Sequence, residues 1–316
     1  MKTFFFAFAT LLAFVPYAQT DSSSEIEVIY SDIPLFWNTY DQLLKETNPD
    51  IRAKIVKKQF FTKGSKGLRA LIKQDKIKPD AMANLMLKTK FFNSIRQATL
   101  DVMNDKEKIV EGLKSYQRLY PEAKFKPIYF TFGLGYHGGT VNKAGLILEI
   151  EKNVGSHNVD YSEMEDWFVK SMIGYEGIAS MTIHEQVHYS QEYRAKNSLL
   201  GHALKEGSCD FIMYHITKKL PTQTTITHNY ANENEELVWK EFQEDSTKPY
   251  DEARKRWFYN YRSKDRVPDL GYYIGFKISE AYYNQANDKS LAIKEIININ
   301  DFDEFLLKSG YRVETP

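Results

Sequence analysis

Residues 184–188 read His-Glu-Gln-Val-His, a spacing that suits the binding of a metal ion. In a helix, residues four apart lie one above the other, so His184 and His188 can aim a ring nitrogen each at the same point. Glu185 lies about 100° round the helix from His184. It is too far away to share the ion but near enough to hold a water bound to it. The spacing therefore predicts a zinc site with its own general base.

A third ligand is offered by Glu206, eighteen residues after His188 in the segment KEGSCDF (205–211). That gap allows one helix to end, turn, and run back past the metal. Asp210 lies one turn later on the same face, where its carboxylate can accept the second N–H of a ligating histidine. Two histidines, one glutamate and an open fourth position are the composition of a catalytic zinc site. We therefore expect one Zn²⁺ per chain, held by His184, His188 and Glu206.

Other interpretations compete for these residues. His202 lies four residues before Glu206 on the same helix face and is a rival ligand. Cys209 is more typical of a small buried residue than of a zinc ligand here. Glu206 also fits a solvated helix position, and Asp210 a local cap or ion pair. Three further histidines receive no role: His137, His157 and His215.

The first part of the mature chain, residues 19–125, is predicted to be a helical N-terminal region that precedes the candidate site. Apolar residues recur there at helical spacing, and Gly, Pro and Asn punctuate the pattern. The predicted helices begin near Pro34 and continue over 50–61, 67–75, 80–103 and 106–119. We expect residues 25–125 to form one compact unit with the remainder of the chain.

The candidate site lies in the second region, residues 126–316. Two strands, 126–135 and 144–151, flank a HGGT turn and predict a hairpin-like unit. Helices over 176–197 and 199–217 then carry the histidine pair and the third ligand.

The remainder of the chain is predicted to be a loop followed by helices. A polar stretch rich in Thr and Asn, residues 220–234, is the loop. The helices after it cover 235–245, 250–262, 271–286, 288–297 and 301–308. The predicted fold class is α+β, mainly helical, with a small β-sheet before the metal-binding helix.

The N-terminus and the composition indicate an exported protein. The opening residues join Lys2 to a short apolar run and predict a signal peptide over residues 1–18. Cys209 is the only cysteine, so no internal disulfide is expected. Because no cysteine lies near the cleavage point, we expect no lipid anchor. Nothing later is apolar enough to cross a membrane. The mature protein is expected to be soluble, periplasmic or secreted, and not inserted in a membrane.

The charge balance bears on the possible partners. Basic and acidic residues number 42 each, so no net field draws the chain to nucleic acid or to an acidic membrane surface. We expect no nucleic-acid partner. The sequence carries no signal of oligomeric state.

HEQVH followed by KEGSCD resembles the gluzincin arrangement of zinc peptidases, in which a downstream glutamate completes the ligand set. More narrowly, the chain resembles a bacterial family of predicted zinc-dependent proteases long catalogued as a domain of unknown function. That family joins a GGT-type turn and strand to HExxH, to an EG pair with a later acidic residue, and to a GY(Y/F)xG helix. The corresponding residues here are 137–151, 184–188, 206–210 and 271–275. Ser208 and Cys209 depart from the usual Leu–Ala pair, and the GxMEN exopeptidase signature is absent.

The resemblance implies a zincin-like core and hydrolysis of a peptide or protein substrate. Zinc would lower the pKa of its water toward ~7, and Glu185 would pass the proton of that water to the leaving amine. Candidate oxyanion donors are Tyr272 and Tyr273 of the GYYIG segment and His228 of the predicted loop. A helical tyrosine equally fits core packing.

The HGGT turn and the strand after it are the candidate substrate-binding element. An extended peptide can add to an exposed strand edge through backbone hydrogen bonds. The residues proposed for this contact are Gly138, Gly139 and Thr140. An interior strand buried on both faces is the equal alternative.

The favoured function is a zinc-dependent peptidase, and two other classes stay open. A non-catalytic envelope or scaffold protein can keep zinc as a structural cross-link. Glu185 argues against that class, because a structural site has no use for this carboxylate. A metal-dependent hydrolase of a non-peptide bond is the third class.

Overall fold

The computed structural model describes residues 26–192 and 197–311, which contain a four-stranded sheet. The strands are β1 (Val28–Ile29), β2 (Ile128–Thr131), β3 (Gly139–Val141) and β4 (Leu146–Glu149), in the spatial order β1-β2-β4-β3. β1 and β4 each pair with β2 in parallel, whereas β3 pairs with β4 antiparallel. The predicted hairpin is therefore wrong. Its two strands run parallel because the chain crosses through β3 before β4 begins.

Sixteen α-helices make up most of the described residues. They are α1 (Asp32–Leu43), α2 (Pro49–Ile55), α3 (Lys66–Asp75), α4 (Pro79–Met86), α5 (Thr89–Asp101), α6 (Lys106–Leu119), α7 (Ile150–Asn153), α8 (Asp166–Lys170), α9 (Ile178–Ser190), α10 (Leu199–Thr217), α11 (Thr222–Glu233), α12 (Glu235–Ser246), α13 (Tyr250–Trp257), α14 (Leu270–Gln285), α15 (Lys289–Ile297) and α16 (Phe302–Ser309). The mainly helical α+β class is confirmed. Within the described ranges, none of these helices is long and apolar enough to span a bilayer. The predicted signal peptide, residues 1–18, lies outside the described residues.

Besides the strands, four predicted elements differ from the observed ones, and one of them is the helix predicted over 176–197, which ends at Ser190. The Thr- and Asn-rich stretch predicted as a loop forms α11, because its inner face is buried and packs on α14. Tertiary packing overrides the weak helix propensity of these residues. The single helix predicted over 80–103 is two helices, α4 and α5. The helix predicted over 250–262 ends at Trp257, and an irregular segment follows it.

Capping residues explain where several helices begin. The Ser198 side chain accepts the Gly201 N–H at 3.1 Å and starts α10, and Asp288 accepts the Leu291 N–H at 3.0 Å and starts α15. Such caps satisfy N–H groups that have no partner inside the helix. The start of α10 places Glu206 about two turns into this helix.

An aromatic cluster joins the first helices to the sheet. Phe36 of α1 stacks on Phe132, just after β2, with ring centroids 3.6 Å apart. Trp37 packs edge-on against Phe132 at 5.6 Å, and Phe92 lies 5.3 Å from Phe36. Burying each aromatic side chain contributes about 1.5–3 kcal/mol. Because Phe132 leads directly into the loop before β3, this packing determines where that loop starts.

Helices α10 and α14 cross with their backbones in contact. A methyl group on Gly207 would overlap the main chain of Gly275 and Phe276, and one on Gly275 would overlap the Ala203 carbonyl. Helix α10 is buried along most of its length. Since Glu206 directly precedes Gly207, the crossing determines where this candidate ligand lies.

A buried carboxylate, Asp245, ties α12 to α13. It accepts hydrogen bonds from Lys248 Nζ at 2.6 Å, an Arg256 guanidinium nitrogen at 2.6 Å and Trp257 Nε1 at 2.8 Å. Burial alone would raise the pKa of Asp245, but these donors hold its pKa below the usual value. The ionised carboxylate is therefore the stabilising form.

We expect Asp245→Ala to lower the free energy of unfolding at pH 7 by about 2 kcal/mol, because the buried Trp257 N–H loses its acceptor and the half-exposed Lys248 and Arg256 lose an ion-pair partner. A carboxyl with a lowered pKa stabilises the fold above its unfolded pKa of about 3.9, and this contribution is lost as pH falls through the folded pKa. Urea unfolding at pH 7 and pH 3 should show the variant approaching the wild type at the lower pH. Asp251→Ala, which removes an exposed carboxylate, is the control and should cost under about 1 kcal/mol. A loss for Asp245→Ala that is the same at both pH values would contradict this assignment.

Candidate metal centre

Helices α9 and α10 bring the three predicted zinc ligands together. His184 Nε2 lies 3.7 Å and His188 Nε2 lies 3.2 Å from the same carboxylate oxygen, Glu206 Oε2. A tetrahedral zinc ion with bonds of about 2.0–2.1 Å holds neighbouring ligand atoms roughly 3.3 Å apart. Both distances fit a shared ion, and all three side chains are at most 8% exposed.

Each histidine is oriented by a second contact. His184 Nδ1 lies 2.8 Å from Asp210 Oδ1, and His188 Nδ1 lies 2.8 Å from Gln191 Oε1. With the Nδ1 hydrogens donated to these oxygens, both rings offer Nε2 as the lone pair that a metal needs. Asp210 lies where its predicted role requires it. Gln191 was not predicted, although a position three residues after His188 is a signal for such a contact.

The other oxygen of Glu206 faces a different pair of residues. Glu206 Oε1 lies 3.8 Å from His202 Nε2 and 3.4 Å from Lys205 Nζ. His202 is held in turn by Tyr250, whose hydroxyl lies 2.8 Å from Nδ1, and by stacking on Phe258 at 3.9 Å between ring centroids. The rival ligand His202 therefore faces the Glu206 oxygen that the two candidate ligand histidines do not contact.

The charges of the centre keep Glu206 ionised. Burial alone would raise the pKa of Glu206, but the charge of His188 and hydrogen bonds from both imidazoles lower this pKa well below its usual value. Burial lowers the pKa of His184, but Asp210 and Glu206 outweigh it and raise the pKa to about 10. The centre thus favours positive charge on His184. A divalent cation between the rings and Glu206 would take the place of that proton.

Cys209 offers a softer donor beside the centre. Its Sγ lies 3.3 Å from His188 Nδ1, and donor atoms of His184, His188 and Cys209 fall within 4.8 Å of one another. The thiol approaches the nitrogen that already contacts Gln191, and burial raises the pKa of Cys209 well above its usual value. Glu206 is therefore the better third ligand.

Two further predicted residues lie at the centre. Glu185 is buried beneath β3, where a methyl group on Gly139 would lie 2.6 Å from Glu185 Cγ. This position needs glycine because the glutamate stem fills the space of a side chain. Tyr272 lies beside His184, with ring centroids 6.2 Å apart and nearly parallel rings.

Within the described residues, Tyr273 and His228, the other predicted oxyanion donors, have no hydrogen bond or ring contact with the three candidate ligands. The Tyr273 hydroxyl donates to Asn232 Oδ1 at 2.9 Å, and its ring packs 5.2 Å from that of His228. Both side chains are buried, His228 on the inner face of α11 and Tyr273 in α14. Their distance in sequence from the metal motif carried no information on which helix face each of them occupies.

Gly138 and Thr140, predicted with Gly139 to bind a substrate, make contacts within the protein. The Gly138 carbonyl accepts a hydrogen bond from Asn153 Nδ2 at 2.7 Å. Thr140 Oγ1 accepts one from Gln74 Nε2 at 3.2 Å. These contacts fix β3 against its neighbours.

Tyr259 is a neighbour of the centre that was not predicted. Its ring lies 6.2 Å from Tyr272 and 6.0 Å from His202. Its φ of 55° is rare for an aromatic residue. Asp269 holds this conformation by accepting the Tyr259 N–H at 2.6 Å and the Tyr261 hydroxyl, and burial raises the pKa of Asp269 to about 6. Helical periodicity in this segment gave no signal of the irregular turn.

A pair of buried glutamates lies under the loop before β3. Glu149 is fully buried and accepts the N–H groups of Gly135 at 2.7 Å and His137 at 3.0 Å; Glu151 is also fully buried and accepts that of Gly133 at 2.8 Å. Burial and the neighbouring Glu151 raise the pKa of Glu149 well above its usual value, and burial raises that of Glu151 to about 7. Two acidic residues at the end of an otherwise apolar strand were the sequence signal for this group.

We expect Asp210→Asn to weaken zinc binding about 10–100-fold, because the amide no longer provides the carboxylate that orients His184. Competition with a chromophoric chelator measures the affinity. Asp251→Asn, at an exposed position, is the matched control and should bind zinc as the wild type does. Unchanged affinity in a folded Asp210→Asn protein would show that this contact does not support a metal.

The sequence matches the family model described as gliding motility protein GldB over residues 21–313, nearly the whole chain. The chain belongs to the GldB family. No curated protein and no solved structure matches it. Membership of GldB, a family of lipoproteins, agrees with the predicted export of the chain but not with the expectation that it has no lipid anchor.

The GldB match corrects the predicted function. The GldB family is one of gliding motility lipoproteins and not a gluzincin protease family, so the assigned resemblance is wrong. The predicted metallopeptidase activity and hydrolase class are wrong with it. The physical reason is that two histidines four apart and a glutamate on the next helix build a metal site whether or not turnover follows. The zincin-like core and the bound zinc stay predictions.

Proposed function

We propose that this GldB-family protein is a non-catalytic component of the cell envelope that serves gliding motility. In this proposal a zinc ion bound by His184, His188 and Glu206 acts as a structural cross-link. The observation that carries it is the GldB match over residues 21–313. A non-catalytic envelope protein with a structural metal, the alternative open from the sequence, replaces the peptidase.

The burial of the centre supports a structural ion. His184 and Glu206 are 3% and 4% exposed, and they lie on two helices that an ion would join. Because α10 also packs along α14, the cross-link would extend to the C-terminal helices. A structural zinc contributes folding free energy because the unfolded chain has no preformed site. The stem of Glu185 then serves as packing between α9 and Gly139.

We also propose that the mature chain works at a membrane surface of the envelope, as the lipoprotein description of its family implies. Its partners would then be other envelope proteins, in place of a peptide substrate. The balanced charge of the sequence supports recognition by local contacts over attraction by a net field.

Complementation of a gliding bacterium whose own GldB-family protein has been deleted tests the proposal. We expect cells that carry Glu185→Gln to spread like the wild type, because no general base is needed. Cells that carry His188→Ala should spread poorly, because the cross-link is lost. His157→Ala, at an exposed histidine, is the matched control. Loss of spreading in Glu185→Gln cells with normal protein level and zinc content would overturn the non-catalytic function.

A further inference from the structure

We propose that Asp75, His137 and Glu149 form a second binding site, for a divalent transition-metal ion. Donor atoms of these three side chains lie within 4.8 Å of one another, and Asp75 Oδ2 lies 3.0 Å from His137 Nε2. They come from three elements: the last residue of α3, the loop before β3 and the last residue of β4. No residue of this site belongs to the first centre, so the two sites can be tested separately.

The spacing of the three donors is close to what an ion imposes. Metal–ligand bonds of about 2.0–2.2 Å place ligand atoms up to roughly 4.4 Å apart. Asp75 and His137 have side chains that are 10% and 33% exposed, so an ion can enter from solvent. Glu149, fully buried, would form the floor of the site.

Within the described residues, no lysine or arginine forms a salt bridge with the carboxylates beside this point, although the charge of Lys152 acts on both from farther away. Glu149 and Glu151 adjoin, because both accept the same Gly135 N–H, at 2.7 and 3.1 Å. Lys152 directs its ammonium to the Phe168 carbonyl, 3.4 Å away, and to the Ser171 hydroxyl. Within the described ranges, Glu151 Oε2 receives no hydrogen bond, and its side chain is completely buried.

Buried negative charge of this density must be neutralised by a proton or by a cation. A proton shared by Glu149 and Glu151 would neutralise that pair. It would leave the His137–Asp75 contact as a separate hydrogen bond and give no reason for Glu149 to meet these two side chains at the same point. A divalent cation accounts for both observations.

The donor chemistry indicates the class of ion. Two carboxylates and one imidazole nitrogen are a mixed oxygen and nitrogen set. Ca²⁺ and Mg²⁺ prefer sites made of oxygen alone. Zn²⁺, Mn²⁺ and Fe²⁺ accept imidazole together with carboxylate. The site therefore fits a first-row divalent transition metal.

Glycines in the loop that carries His137 let its backbone approach the buried glutamates closely. A methyl group on Gly133 would overlap the Glu149 carboxylate, and Gly135 has a φ of 68° that favours glycine. His137 continues through residue 138 into Gly139, which packs on Glu185 of α9. An ion at the second site would thus hold β3 in place beside the first centre.

Counting bound metal in matched variants tests the second site. The full mature chain is incubated with Zn²⁺, freed of excess ion by gel filtration, and measured by elemental mass spectrometry. Asp75→Asn and Glu149→Gln should each bind one equivalent less than the wild type, and His157→Gln, at an exposed histidine, should bind as much. Mn²⁺ titration followed by electron paramagnetic resonance should show affinity at this site falling more than about 100-fold, since loss of an outer contact alone costs 10–100-fold.

His188→Ala separates the second site from the first. With both sites present, His188→Ala and Asp75→Asn each remove one equivalent, and the combined variant removes both. Metal content unchanged by Asp75→Asn and Glu149→Gln, with circular dichroism showing folded proteins, overturns the second site and leaves the shared proton. Metal content unchanged by His188→Ala alone overturns the zinc of the proposed function and leaves the second site standing. Asp75 is a partly exposed helix end, so its variant decides the question even where Glu149→Gln misfolds.

Discussion

The Gly207→Ala protein should have a free energy of unfolding about 4 kcal/mol or more below that of the wild type. An added Cβ meets the main chain of Gly275 and Phe276 in α14, and main-chain atoms cannot turn aside as a side chain can. Overpacking against side chains costs about 1–3 kcal/mol. Separating two helices also loses packing along their whole crossing, which places the effect among the rare large ones. Urea unfolding followed by circular dichroism measures it.

Gly112→Ala is the matched control for this prediction. Gly112 lies within α6, and its added methyl group would meet the Ile183 side chain, with Cδ1 at 3.2 Å and Cγ1 at 3.7 Å. The end of that side chain can move, and Ala is favoured over Gly inside a helix by about 0.5–1 kcal/mol. We expect stability within about 1 kcal/mol of the wild type. Equal stability of the Gly207→Ala and Gly112→Ala proteins would show that α10 and α14 do not cross at Gly207.

Removal of zinc should have the second large effect. We expect the wild type after chelation, and the His188→Ala protein, to melt roughly 10 °C below the zinc-loaded wild type. An ion that binds only the folded state stabilises it by about 4 kcal/mol at 1,000 times its Kd. Each kcal/mol shifts the melting temperature of a large domain by about 2–4 °C. Scanning calorimetry with and without zinc measures the shift.

Two controls limit the interpretation of the zinc result. Added zinc should not raise the melting temperature of His188→Ala through the first centre, whereas Glu185→Gln should gain as much as the wild type. Equal stabilisation of Glu185→Gln and the wild type by zinc would show that the ion supports the fold without the carboxylate that turnover requires. Identical melting of loaded and chelated wild type would refute a structural role for the ion.

The local part of the site was predictable from the sequence. His184 and His188 lie four residues apart on one helix, and Asp210 lies one turn after Glu206 on the next. Within a helix, spacing alone determines which residues share a face. A short connection between α9 and α10 then leaves few ways to bring the two faces together, and the predicted ligands do meet at Glu206 Oε2.

Contacts between distant segments were not predictable in the same way. The parallel pairing of β2 with β4 depends on β3, whose three residues have no strong strand pattern. The conformation of Tyr259 depends on Asp269, ten residues later. Helix α11 forms from residues of weak helix propensity because α14 covers its inner face. Each of these features depends on a partner that local spacing does not identify.

The function was mispredicted for another reason. HExxH with a downstream glutamate describes the geometry of an ion and a neighbouring carboxylate, and this geometry is present here around Glu206. Whether turnover occurs depends on more than this local geometry. The match over residues 21–313 compares nearly the whole chain, and it is to a family of gliding motility lipoproteins. Glu185, the residue on which the peptidase depended, lies against Gly139 and fits a packing role equally well.

The crossing of α10 and α14 also determines when the centre can form as the chain emerges during synthesis or export. His184, His188 and Glu206 lie close together in sequence, but α10 gains its main neighbour only when residues 270–285 are available. Contacts between segments far apart in sequence form late. A chain ending at residue 269 would therefore contain every candidate ligand and still lack the support that holds Glu206 in place. Metal capture at the proposed centre would therefore belong to the last stage of maturation, and a nascent chain would be exposed to proteolysis until the C-terminal helices arrive.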